Sequence, residues 1–240
     1  MKEEKWTDTR LTGDSNFALS SAFPALMRKV FVWMTLALAI TGITAFGVAT
    51  SPTLLAIIFG SKLMFWGLII AEFALVFAIS GAINKLSLAT ATLLFILYSV
   101  VNGATLSVIF LAFSTAVIAK TFFITAGTFG VMALVGYTTK TDLTSMGKLL
   151  FMALLGIIIA SVVNMFVHSS GFDLIISYIG VLIFVGLTAY DTQKIKQLCL
   201  MAPNGGEMSQ KLALIGALEL YLDFINLFLY LLRIFGNNKD

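Results

Sequence analysis

Four acidic residues lie within or at the end of long apolar stretches of this sequence. They are Glu72, Asp191, Glu219 and Asp223. A carboxylate in a lipid bilayer is costly unless it is paired, protonated or facing water, and such residues usually mark ion or proton pathways. These four acids are therefore the candidates for chemistry.

Two of them, Asp191 and Asp223, can form a proton-sensitive pair. Asp223 lies about 16 Å from the start of its apolar stretch, at ~1.5 Å per helical residue, which favours a buried carboxylate. Asp191 is equally compatible with a solvated carboxylate that pairs with Lys194 three residues later. If the two acids meet, they cannot both ionise cheaply, so they share a proton and titrate as a unit. Ionised carboxylates are also preferred ligands of Ca²⁺.

The composition excludes a water-soluble protein. Apolar residues make up 59% of the 240 residues and charged residues only 11%, against about 25% charged in soluble domains. The formal net charge of +3 is too small to indicate nucleic-acid binding. A single cysteine and the single histidine, His168, offer no metal constellation, and the usual nucleotide and hydrolase motifs are absent from the sequence. We expect no enzyme and no cofactor.

Apolar runs long enough to cross ~30 Å of hydrocarbon as helices recur along the chain. We predict an all-α integral membrane protein with seven transmembrane helices between a polar tail (1–29) and a short tail (237–240), so that the membrane domain covers 30–236. The expected spans are Val30–Thr50, Leu63–Ile83, Leu88–Phe110, Thr121–Tyr137, Leu149–Val167, Leu174–Tyr190 and Leu212–Phe235.

The distribution of Lys and Arg predicts the orientation. With the N-terminus in the cytoplasm, eleven basic residues lie on the inner side and four on the outer side, as the retention of basic loops in the cytoplasm requires. The odd number of spans then places the C-terminus outside. The pattern Ser99-x-x-x-Gly103-x-x-x-Ser107 in the third span predicts close helix packing.

Several motifs are similar to those of one membrane protein family. The run Leu220–Phe228, followed by Leu231–Gly236, resembles the last-helix signature of the Bax inhibitor-1 family. Tyr190-Asp191 with Ile195-Lys196 is similar to its sixth helix. The segments Gly136–Gly147 and Asn164-Met165-Phe166 are similar to its bacterial branch.

The resemblance implies a seven-helix bundle with the last helix at its centre. It also implies a pH-sensitive calcium leak channel whose sensor aspartates fall on Asp191 and Asp223. Glu72 matches an expected second-helix glutamate. The chain departs from the family where a basic residue of the second helix latches onto the pair, because Ser80–Asn84 holds none and Lys85 follows it.

The leading hypothesis is a passive Ca²⁺ pathway in the inner (plasma) membrane. Protonation of Asp191 and Asp223 would change how the second, sixth and seventh helices pack, and the pair would also contact Ca²⁺ transiently. We expect four supporting ionisable residues: Glu72, Glu219, Lys85 and Arg233. The expected partners are the lipid bilayer and Ca²⁺.

Two alternatives belong to other functional classes. The first is an interaction protein that modulates a membrane-bound protease or another membrane protein, with the polar segment 2–16 as its contact. The second is a proton-coupled transporter that uses Glu72, Glu219 and Asp223 as a relay.

Overall fold

Every regular element in the described part of the chain is a helix. The computed structural model describes residues 4–201 and 206–236, with side chains from residue 24 onward. The helices are α1 (Glu4–Ala49), α2 (Pro52–Phe59), α3 (Lys62–Ala82), α4 (Leu88–Leu106), α5 (Ile109–Ala112), α6 (Thr115–Thr138), α7 (Thr144–Val167), α8 (Ser170–Met201) and α9 (Glu207–Gly236). Seven helical stretches in these residues are long and apolar enough to cross a membrane. The predicted all-α membrane bundle is confirmed.

Several helices extend beyond the apolar runs from which their spans were predicted. The first membrane-length stretch begins at Pro24 rather than Val30, and the sixth continues to Met201. Backbone hydrogen bonds sustain a helix beyond the hydrocarbon, so its ends are not marked by apolar side chains. The link at 202–205 and the tail at 237–240 lie outside the described residues.

Two short helices differ from the sequence expectation. α2 begins at Pro52, and Ser51 caps it by accepting a hydrogen bond from the backbone N–H of Leu54 at 3.4 Å. The second short helix is α5. It arises because α4 ends at Leu106 instead of continuing to Phe110. There the Ser107 hydroxyl donates to the carbonyl of Ala104 at 2.7 Å, a local bond that competes with the helical ladder.

The last helix, α9, lies at the centre of the bundle. It packs against α1, α4, α6 and α8, and its residues are buried along most of its length. By contrast, α3 and α7 lie at the periphery, where apolar side chains such as Phe77 and Phe166 are exposed. This arrangement confirms the central last helix, and it buries the polar groups of α9 away from lipid.

A buried polar contact joins three helices. The Tyr221 hydroxyl of α9 lies 2.7 Å from the Thr41 hydroxyl of α1 and donates to Asn102 Oδ1 of α4 at 3.0 Å. Thr41 also donates to the carbonyl of Ser99 at 3.0 Å. Because hydrocarbon offers no competing water, these bonds fix α9 against its neighbours.

The small-residue pattern of the third span marks a close helix contact, as predicted. A methyl group added at Gly103 of α4 would lie 2.6 Å from the carbonyl oxygen of Thr41 in α1. Ser99 and Ser107, on either side, are fully buried. The backbones of α1 and α4 therefore approach each other where only glycine fits.

We expect Gly103→Ala to destabilise the bundle by about 1–3 kcal/mol, because the added methyl group meets backbone that must move. The matched control is Gly127→Ala in α6, where an added methyl group meets open space. Thermal unfolding of the purified protein in detergent measures both. Equal unfolding temperatures for the two variants would contradict the close contact.

Candidate functional site

The candidate site lies where α8 and α9 pack side by side in opposite directions. At one end of this helix pair, Arg233 of α9 lies 3.4 Å from Asp173 of α8. Towards the other end, Glu219 of α9 lies 2.8 Å from Lys194 of α8. This antiparallel register places Asp191 of α8 in one layer of the bundle with Glu219 and Asp223 of α9, called the acidic layer below.

The structure brings Asp191 and Asp223 together. Their side chains interact with each other across the α8–α9 contact, and Asp223 is buried in the bundle. Asp223 Oδ2 is buried and accepts no hydrogen bond from any described residue. Two carboxyl groups can hydrogen-bond only when one of them carries a proton, so this contact is sensitive to protonation.

Lys194 is the base that contacts this acidic layer. Its ammonium nitrogen lies 2.8 Å from Glu219 Oε1 and 3.9 Å from Asp191 Oδ1. The i, i+3 pairing of Asp191 with Lys194 is therefore present, but it is the longer of the two contacts. Asp191 meets both partners that the sequence allowed, the lysine on its own helix and the aspartate on the next.

Three other candidate residues lie apart from the aspartate pair. Glu72 of α3 interacts with Asn102 and Thr105 of α4, so it faces α4 rather than the α8–α9 contact. Lys85 is exposed in the turn between α3 and α4. Arg233 lies at the opposite end of α9, against Asp173.

The cation-binding capacity of the site rests on few ligands. Within residues 4–201 and 206–236, no group of three or more His, Cys, Asp or Glu side chains is arranged to hold a metal ion. Ca²⁺ takes six to eight oxygen ligands. Asp191 and Asp223 supply only part of that number, which suits transient contact rather than tight binding.

A loop clasp on α8, formed by Gln193 and Lys196, went unrecognised in the sequence. Gln193 accepts a hydrogen bond from the Leu143 N–H at 2.9 Å and donates to the Thr141 carbonyl at 2.8 Å. Lys196 donates to the Tyr137 carbonyl at 2.7 Å. The loop clasp thus holds the α6–α7 loop against α8, directly beside Asp191.

Close packing supports the same contact. A methyl group added at Gly136 of α6 would overlap the carbonyl oxygen of Ala189 in α8. The α6 and α8 backbones therefore touch two residues before Asp191. The sequence held one signal for this contact. The two motifs Gly136–Gly147 and Tyr190–Lys196 both lie at it.

Asp142 in the same loop is an ordinary surface acid. Its carboxylate accepts hydrogen bonds from the Thr144 hydroxyl at 2.6 Å and from the Thr144 N–H at 2.9 Å. These bonds hold the pKa of Asp142 below its usual value. It therefore stays ionised at neutral pH, which makes it a useful contrast to the aspartate pair.

Comparison with known proteins gives matches over almost the whole chain. Residues 24–240 match the sequence model of Bax1-I, described as inhibitor of apoptosis-promoting Bax1. A Borreliella burgdorferi protein is 50% identical over 214 residues, which cover 89% of this chain and 92% of that protein. The Escherichia coli K12 protein named Inner membrane protein YbhL is 49% identical with the same coverage. Protein RP147 of Rickettsia prowazekii is 41% identical over 98% of this chain and 99% of its own length.

We expect Gln193→Ala to release the α6–α7 loop while the bundle stays folded. Losing its two hydrogen bonds should speed amide hydrogen exchange of Leu143 by about tenfold or more. The control is Gln197→Ala, an exposed glutamine on the same helix. Exchange of the loop amides at the wild-type rate in Gln193→Ala would show that the clasp does not hold the loop.

Proposed function

This chain belongs to the Bax inhibitor-1 family, and on that premise we propose that it forms a passive Ca²⁺ leak pathway gated by protonation of Asp191 and Asp223. The family match and the Escherichia coli relative named an inner membrane protein support a place in the inner membrane. Ca²⁺ is the permeant ion in this proposal, and no cofactor or catalytic step is required. We place the N-terminus in the cytoplasm on the basis of the Lys and Arg distribution.

The observation that supports the sensor is the buried contact between the two carboxyl groups. It joins α8 to the central helix α9, so a change in its protonation acts on the most buried part of the bundle. A two-state contact linked to one proton shifts by ~1.4 kcal/mol for each pH unit. That is enough to change the populations of two packing arrangements about tenfold.

The helices affected first are α8 and α9. We expected the second span to share in this contact, but α3 packs mainly against α4 and the short α2. Its link to α9 passes through Asn102, which interacts with Glu72 and accepts a hydrogen bond from Tyr221. In this proposal α3 responds through α4 rather than by touching the aspartates.

We expect Asp223→Asn to remove the pH dependence of Ca²⁺ flux, because asparagine can neither lose a proton nor share one with Asp191. In proteoliposomes, wild-type flux should change by up to about tenfold per pH unit across the titration of the pair. The variant should stay within about twofold over the same range.

Asp142→Asn is the matched control, since it removes an exposed aspartate on the same side of the bundle and should keep the wild-type profile. A wild-type pH profile in Asp223→Asn would rule out the sensor. Deletion of residues 1–20, which leaves the stretch from Pro24 intact, should also preserve flux. Loss of a partner's modulation without loss of flux in that deletion would assign a partner-binding role to the segment instead.

A further inference from the structure

The side chains of the acidic layer form a series from solvent into the bundle. Lys194 is 39% exposed, Glu219 30% and Asp191 16%, whereas Asp223 is 5% exposed. The ion pair of Lys194 and Glu219 is therefore the part of the acidic layer most accessible from solvent.

Two carboxylate oxygens of the acidic layer have no hydrogen-bond partner among the described residues, and one of them belongs to Glu219 itself. Glu219 Oε2 and Asp223 Oδ2 are both buried, and neither accepts a hydrogen bond from a described residue. Lys194 occupies the other Glu219 oxygen. Buried oxygens of this kind carry a desolvation cost that a cation can remove.

The charges around the layer are unbalanced. α8 contributes Asp191, Lys194 and the nearby Tyr190, and α9 contributes Glu219 and Asp223. The next base on α8, Lys196, is directed to the Tyr137 carbonyl of α6. Among the described residues, the layer holds three acids and one contacting base, so it keeps a negative charge even with one proton shared by the aspartates.

We propose that Lys194 is a tethered counter-ion that competes with an incoming divalent cation for the carboxylates of Glu219 and Asp191, and so sets the cation affinity of the site. This inference rests on the proposed function, since it names the residue that regulates the same site. Its role is positional. Without a competing cation the lysine holds the two carboxylates in place, and it leaves them when the cation binds. A flexible point charge in a half-exposed pair suits such exchange, because that pair is weak.

The competition predicts opposite effects for the two members of the ion pair. Lys194→Gln removes the competitor and should lower the Ca²⁺ concentration for half-maximal thermal stabilisation by about threefold to tenfold. Glu219→Gln removes a cation ligand and frees the lysine for Asp191, so it should raise that concentration. A merely structural role would lower the stability of both variants without moving the two half-maximal concentrations apart.

The measurement is the unfolding temperature of the full chain in detergent across a CaCl₂ series. Lys194→Arg keeps the positive charge and, unlike Lys194→Gln, should not lower the half-maximal Ca²⁺ concentration. Lys140→Gln removes an exposed lysine of the α6–α7 loop and should match wild type. A shift in Lys194→Gln no larger than in Lys140→Gln would overturn the proposal, and so would the absence of any Ca²⁺ stabilisation of the wild-type protein.

Ca²⁺ flux into proteoliposomes separates this inference from the channel. If wild type shows no pH-dependent flux but the Lys194→Gln shift occurs, the leak function fails and the competition stands. If flux depends on pH but the half-maximal concentration does not move in Lys194→Gln, the competition fails and the leak function stands.

Discussion

The arrangement depends on a contact between two carboxyl groups held out of bulk water. Asp191 of α8 and Asp223 of α9 interact across the contact between their helices, and hydrocarbon around the bundle makes any unshared charge there expensive. The contact persists because its two helices are held from outside. The glycine contact of α6 with Ala189 and the loop clasp at Gln193 fix α8 on one side of the pair.

The central helix is fixed by different means. Tyr221, two residues before Asp223, hydrogen-bonds to Asn102 of α4 and lies against the Thr41 hydroxyl of α1. The aspartate pair therefore joins two helices that are anchored at different points: α9 to α1 and α4 through Tyr221, and α8 to the α6–α7 loop through Gln193. In contrast, α3 and α7 lie at the periphery of the bundle. In the proposed mechanism, a change in the protonation of the pair acts on the α8–α9 contact and leaves both anchors in place.

Much of this could be predicted from residue types alone. Length and hydropathy indicate seven spans, and the depth of Asp223 marks it as a buried acid. The partner of each side chain could not be predicted, because it depends on how each helix is rotated about its axis. The sequence suggested Lys194 as a partner for Asp191, but Lys194 lies closer to Glu219, which is on another helix. The sequence left open whether Lys85 replaces the latching base of the second helix, and Lys85 is exposed in the turn between α3 and α4. The break at Ser107 coincides with a hydroxyl that bonds its own backbone, and hydropathy does not register it.

The most direct test of the shared proton is infrared difference spectroscopy of the protein in bilayers during a pH titration, with the carboxyl bands assigned by Asp191→Asn and Asp223→Asn. Coupled acids must titrate as a unit. If the two aspartates share a proton, replacing either one shifts the pH at which the carboxyl band of the other titrates. Two carboxyl bands that titrate independently, each unaffected by replacement of the other residue, would contradict it.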